Sequence, residues 1–199
     1  MPTVPAQQRV PRQEPGVRPS RALGYRLNVD LAVSSRALDF TISNGGRLGA
    51  QLQARSNDVA GAPFSYTVGA GRTLRPSLAA DGGFDVSVHG PNGFYRRFTG
   101  TTHERFLEVR ARRDAGYLEL TLHNRSDHAL RVHVADAHAG ERTVRVSAHD
   151  RRRVRVPLAA RHGWYDVLVT VAGHPHWRRA LAGRVENGRP RTSDPLLGR

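Results

Sequence analysis

Apolar residues recur at every second position along most of the chain. Tyr25, Leu27, Val29, Leu31 and Val33 alternate with Arg26, Asn28, Asp30 and Ala32, and Leu38, Phe40 and Ile42 with Asp39, Thr41 and Ser43. The same period runs through Leu118, Leu120 and Leu122, through Leu130, Val132 and Val134, and through Tyr165, Val167, Val169 and Val171. Val154 and Val156 alternate with Arg153 and Arg155. A period of two puts one face on a core and the other in water, the pattern of a half-buried antiparallel strand. Turn signals separate the runs at Asn44-Gly45-Gly46, Gly69-Ala70-Gly71, Asp81-Gly82-Gly83 and Asn92-Gly93. No long helical stripe interrupts them. Short strands and frequent turns predict an all-β chain of sandwich type.

The pattern also repeats. Leu38–Asn44 aligns with Leu118–Asn124 at an offset of 80, and Ser77–Asp81 with Pro157–Arg161 at the same offset. Gly83-Phe84-Asp85-Val86 then meets Gly163-Trp164-Tyr165-Asp166-Val167 with one inserted residue, and Tyr95-Arg96-Arg97 meets Trp177-Arg178-Arg179 at an offset of 82. Order, spacing and residue character agree, so the chain reads as two copies of one unit. Each copy has room for about seven strands, the number in an immunoglobulin-like sandwich. The expected organisation is a disordered proline-rich linker at 1–22, one β-sandwich at 23–102, a second at 103–188, and a C-terminal tail at 189–199. Units this small bury a modest fraction of their surface, so the two are expected to share an interface.

The 199 residues carry 31 basic and 17 acidic side chains, a net charge of +14, and every basic residue is Arg. Arginine's planar fork suits phosphate and carboxylate, which keeps anionic surfaces open as partners. No apolar run is long enough to span a membrane as a helix, and the first 20 residues lack a signal-peptide core. With no cysteine, disulfides, thiol catalysis and cysteine-bound zinc are excluded.

Candidate chemistry is sparse. A G-x-S-x-G nucleophile elbow is absent. His128, His133 and His138 are five apart, which puts successive side chains on opposite faces of a strand, and His174 with His176 makes only two ligands; no metal and no cofactor are expected. Arginines cluster at Arg110, Arg112 and Arg113 and again at Arg151, Arg152, Arg153 and Arg155. Only 7% of the chain is aromatic, a poor supply of stacking platforms for nucleic acid. The duplicated aromatic–Arg–Arg motifs, Tyr95, Arg96, Arg97 and Trp177, Arg178, Arg179, follow tight turns and are candidates for contact with lipid or a partner. Gly83, Phe84 and Asp85, with Gly163, Trp164, Tyr165 and Asp166, are read as a structural motif, Phe84 and Trp164 being equivalent core anchors.

The stretch Leu78–Phe98, the segment His162–Val167 and the ending Val185–Pro195 resemble the C-terminal region of bacterial phosphocholine-type phospholipases C. The resemblance runs from about Arg18 to Arg199. It implies tandem accessory domains that follow a phosphatase-like catalytic domain in a secreted enzyme of phospholipid hydrolysis, and it implies no catalytic residue in this chain. The expected function is a non-catalytic accessory region that aids folding or export, or orients the enzyme on its membrane substrate. The catalytic domain, on a missing or separate chain, is the expected partner, with a phospholipid membrane surface as a further one. The alternative is a stand-alone basic sandwich module that binds an anionic membrane or polyanion.

Overall fold

The computed structural model describes residues 7, 14–58, 62–114 and 116–196. Most of the expected linker falls outside them. The strands in the first half are β1 (Pro19–Ser20), β2 (Leu27–Val33), β3 (Ala37–Asn44), β4 (Ala50–Ser56), β5 (Phe64–Val68), β6 (Thr73–Leu74), β7 (Ser77–Ala79), β8 (Gly83–His89) and β9 (Tyr95–Thr101). The second half contains β10 (Leu107–Asp114), β11 (Tyr117–Asn124), β12 (Leu130–Asp136), β13 (Gly140–Val146), β14 (Arg151–Pro157), β15 (Trp164–Val171), β16 (His174–Arg184) and β17 (Arg191–Thr192). A single 3₁₀ turn, Ala159–Arg161, is the helical element among the described residues.

Alternation does what it predicts. On β11 every second side chain, Leu118, Leu120 and Leu122, is fully buried, and their neighbours are half-exposed. The buried residues form two cores, one from each half of the chain. In the first, β3 pairs with β2, β6 and β7 in one layer, and β5-β4-β8-β9 forms the other. In the second, β10-β11-β14 forms one layer and β13-β12-β15-β16 the other. The two topologies are the same, so the sequence repeat is a repeat of fold.

Asn44 and Asn124 explain why the repeat ends on Asn. Each closes its strand with a buried side-chain amide. Asn124 Nδ2 donates to the carbonyls of His128 (2.7 Å), Val146 (3.1 Å) and Ser147 (3.0 Å), and its Oδ1 accepts from Ser126 N (2.9 Å). Asn44 Nδ2 donates to Leu48, Val68 and Gly69, and its Oδ1 accepts from Arg26 N and Gly46 N. One side chain thus ties the end of its strand to the turn that follows and to the far end of the opposing layer. It also satisfies backbone groups that burial would otherwise strand.

The halves are not beads on a string. β9 pairs antiparallel with β16, which fuses both larger layers into one eight-stranded sheet, β5-β4-β8-β9-β16-β15-β12-β13. This order reads the same from either end. In the other layer β2 of the first sandwich lies alongside β10 of the second without a ladder between them. The chain ends also meet: Pro19–Ser20, inside the expected linker, pairs with Arg191–Thr192, inside the expected tail.

Candidate functional site

The seam where β9 meets β16 gathers most of the residues that the sequence marks out. Arg97 and Ala180 face each other at its centre, flanked by Arg96–Leu181 and Phe98–Arg179 pairs. Equivalent strands pairing antiparallel generate a local pseudo-two-fold axis. Structural equivalence at the seam runs at an offset of 83, pairing Phe94 with Trp177, Arg96 with Arg179 and Gly100 with Gly183. The expected offset of 82 is therefore corrected by one residue.

That one residue decides which arginine is buried, because successive strand residues point to opposite faces. Arg96 and Arg179 are 1% and 5% exposed, and Trp177 is fully buried. Arg96 Nη1 donates to its neighbour's carbonyl at Tyr95 (2.8 Å) and, across the seam, to Ala182 (3.1 Å). Arg179 Nη1 does the same toward Arg178 (2.8 Å) and Thr99 (2.7 Å). Each guanidinium lies between an aromatic of its own copy and one of the other. Arg96 sits 4.4 Å from the Phe94 ring centre and 5.4 Å from that of Tyr165, while Arg179 sits 4.3 Å from Trp177 and 5.7 Å from Phe84. Such stacking offsets part of the cost of taking a cation out of water. The offset is partial: burial pushes Arg179 down to about 9, with the Glu104 carboxylate opposing it.

Two glycines make room for these clamps. Gly100 and Gly183 have φ of 149° and 146°. A Cβ at Gly183 would lie 3.0 Å from Tyr165 Oη and 3.4 Å from Phe94 Cα; one at Gly100 would lie 3.3 Å from Trp177 Cδ1. The equivalence of Phe84 is also reassigned. Phe84 lies opposite Gly100, and Tyr165 opposite Gly183, so Tyr165 is its counterpart. Trp164 is the inserted residue. It is buried, and its indole N–H donates to the Thr192 carbonyl (2.9 Å), which anchors the C-terminal segment. Gly83 opens β8, Gly163 immediately precedes β15, and Asp166 faces solvent.

The expected contact residues therefore divide. Arg96, Trp177 and Arg179 are buried and structural, unavailable to a membrane or partner. Tyr95, Arg97 and Arg178 stand on the outer face of the eight-stranded sheet, in the body of the seam rather than at hairpin tips. There they line an open groove of about 1050 Å³, together with Leu168, Thr99 and Ala180. Arg97 is engaged: its Nε donates to Asp85 Oδ1 at 2.8 Å, its Nη2 bonds the other oxygen, and Asn57 Nδ2 adds a third donor at 2.8 Å. The Arg97 hydrogen bonds hold the Asp85 carboxyl below its usual range. Arg178 forms no salt bridge among the described residues, though its charge also acts on Asp85, and Leu168 is an exposed large apolar side chain.

Histidines take local partners: His133 with Thr143 (2.9 Å) and His174 with Glu104 (3.3 Å). No group of three metal-ligating side chains occurs among the described residues. Sequence reading missed Phe94, Gly100 and Gly183. The signal for them was present: aromatic-x-Arg-x-x-x-Gly occurs at Phe94–Gly100 and again at Trp177–Gly183.

Comparison with known proteins places this architecture. The bacterial phospholipase C C-terminal domain family matches twice, over residues 19–101 and 104–184. A non-hemolytic phospholipase C of Pseudomonas aeruginosa is 39% identical over 214 residues, covering 99% of this chain and 31% of that protein. Its Burkholderia pseudomallei namesake is 34% identical over 211 residues, covering 99% and 30%. A hemolytic phospholipase C of Pseudomonas aeruginosa is 32% identical over 224 residues, covering 94% and 30%. The chain thus spans about a third of the length of these relatives. The crystal structure of red sea bream transglutaminase aligns over 82% of this chain and 31% of its own, with 12% identity and a TM-score of 0.28, too slight a likeness to argue from.

Proposed function

The chain belongs to the bacterial phospholipase C C-terminal domain family, and from that premise we propose that it is the non-catalytic accessory region of a phospholipase C. In this reading it docks on the catalytic domain, supports its folding and export, and holds it toward phospholipid. The observation that carries the proposal is the groove across the seam. It draws residues from both copies, it is held rigid by a continuous sheet, and it leaves the Arg178 side chain without a salt bridge among the described residues and Leu168 in water. Exposed apolar surface beside exposed charge marks an interaction surface. Most of each relative's length lies outside the aligned region, and the catalytic machinery implied by the family is the partner of matching origin.

A chimera tests this. The aligned region of the Pseudomonas aeruginosa non-hemolytic relative is replaced by this chain, and secreted yield and phosphatidylcholine hydrolysis are measured. The chimera is expected to be secreted and active, the relative truncated of this region poorly soluble, and a Leu168→Glu/Arg178→Glu chimera impaired. This chain alone, with divalent metals supplied, is expected to release no phosphocholine. Turnover by the chain alone, or a truncated relative as soluble and active as the whole, defeats the proposal.

A further inference from the structure

Outer faces of equivalent sheets should resemble each other unless something has pulled them apart. Those of β2-β3-β6/β7 and β10-β11-β14 do not. Ladder register defines the equivalent positions. Asp30 lies opposite Thr41 as Arg110 lies opposite Thr121, and Ala32 opposite Asp39 as Arg112 opposite Glu119. On the third strand Thr73 lies opposite Ser43 as Arg151 lies opposite His123, and Ser77 opposite Asp39 as Arg155 opposite Glu119. Arg153, opposite Thr121, completes the face, and its counterpart between Thr73 and Ser77 is also an exposed arginine, Arg75. Where the first copy has Asp, Ala, Thr and Ser, the second has four arginines. An arginine-rich genome does not explain this, because it would act on both copies alike.

Height matters as much as number. Two carboxylates on this face, Glu108 and Glu119, have side chains only 12% and 15% exposed, whereas Arg110, Arg153 and Arg155 are 63%, 74% and 64% exposed; a third, Asp114 at the end of β10, is exposed and accepts the Tyr117 hydroxyl. Glu108 and Glu119 lie at the sheet surface, and the guanidiniums stand above them. Arg125, 55% exposed, also reaches Glu108. The guanidiniums of Arg112 and Arg151, at opposite corners, form no salt bridge among the described residues; Arg112 lies opposite Glu119 in the ladder, and the Arg151 backbone N–H donates to Asp150. His123, between Glu108 and Arg151, is held below its ordinary value by burial and by Arg151 and Arg125, and is neutral at neutral pH. The layer that an approaching surface meets is cationic.

We propose that the outer face of β10-β11-β14 is a docking surface for an anionic phospholipid bilayer. Strands about 4.8 Å apart and side chains about 6.7 Å apart along each strand spread the arginines over a flat grid, the two-dimensional array that a plane of phosphate headgroups complements. A groove-reading element is absent from the face: it has no helix or protruding ribbon. Tyr117, the aromatic ring there, is already covered by Arg155 at 4.6 Å, so no free stacking platform meets a single-stranded nucleic acid. The face carries no exposed large apolar side chain, so binding is peripheral and screened by salt. The inference rests on the accessory reading for its purpose alone. The chain by itself reports lipid binding and the chimera reports docking on the catalytic domain, so the two fail separately.

The test is flotation of the full chain with phosphatidylcholine vesicles, with and without phosphatidylglycerol, at low and physiological salt. Binding is expected only with phosphatidylglycerol and is weakened by salt. Losing about fivefold per arginine, Arg112→Ala/Arg151→Ala binds about 25-fold more weakly. A control, Arg47→Ala/Arg72→Ala, removes the same charge from the first copy and binds as wild type; both variants are checked for unchanged melting. No binding to phosphatidylglycerol overturns the proposal. So does an equal loss in both variants, which assigns binding to net charge. Displacement from the vesicles by duplex DNA at lower concentration than lipid assigns the face to a polyanion and overturns it as well.

Discussion

Replacing Asn124 by Ala should unfold more of this protein than the loss of one polar side chain suggests. Asn124 is fully buried, and its two amide hydrogens are shared among three backbone carbonyls while its oxygen accepts from Ser126. Alanine removes all of these bonds; the His128 carbonyl keeps the Ser126 hydroxyl and the Ser147 carbonyl keeps the Asp150 N–H, while the buried Val146 carbonyl loses its side-chain donor. With some acceptors keeping a second donor, each lost bond costs about 1–2 kcal/mol. Because two hydrogens served three acceptors, two full bonds is the fair count, to which the bond to Ser126 N adds about 1 kcal/mol. The expected loss is about 3–5 kcal/mol, a fall in Tm on the order of 10 °C for a chain of this size. Asn124→Asp should be worse than Ala, since a carboxylate would then face three carbonyls with no hydrogen to give. Asn44→Ala should cost a similar amount, because the same network recurs in the first copy. Thermal unfolding followed by circular dichroism measures all three. Melting of Asn124→Ala within about 2 °C of wild type, or Asp milder than Ala, refutes the reasoning.

Other expectations follow from the seam. Trp177→Ala should cost about 3–5 kcal/mol, whereas Trp177→Phe should be much milder, since the buried indole nitrogen has no hydrogen-bond partner; equal melting of the two variants contradicts this. Phe84→Ala and Trp164→Ala should each cost a similar 3–5 kcal/mol, and Trp164→Ala alone should also free the C-terminal segment to proteolysis. Gly183→Ala should be destabilised by about 1–3 kcal/mol from its backbone alone, with the Tyr165 hydroxyl contact added, and a wild-type melt would remove the strain argument. Asp85 is held below its unfolded value, so its pairing with Arg97 stabilises above about pH 4 and is lost as pH falls through the depressed value. With Arg97 46% exposed, the contribution is at most about 1 kcal/mol. The stability gap between wild type and Arg97→Gln should therefore be small and flat above about pH 5 and close in more acidic buffer; a gap that widens on acidification would contradict the pairing.

Strand parity and the internal repeat were legible because both are written in many residues at once: Leu118, Leu120 and Leu122 vote together, and no single substitution could hide them. The seam was legible only in outline. Arg96-Arg97 and Arg178-Arg179 each offer two identical residues to two opposite faces, and composition cannot say which points inward. Parity counted from Phe94 and Phe98 does say it, at the price of accepting a buried arginine. That acceptance needs the partner strand, which supplies the second ring and the second carbonyl from 80-odd residues away. The same holds for Phe84, whose true counterpart is displaced by the inserted Trp164. The basic face of β10-β11-β14 was half visible, as clusters in sequence; its contrast with the first copy required the ladder register.

A self-complementary junction has a further consequence. When like strands pair about a two-fold axis, each uses up the other, so the contact closes on itself and cannot propagate. Two separate chains joined in this way would be obliged to carry identical surfaces on both halves. Placing both halves on one chain keeps the closure and lifts the obligation. One half is free to change its outer surface, Asp30 to the counterpart of Arg110, while the other keeps its own, and the seam that joins them registers no difference. Tandem duplication here yields a dimer with a front and a back.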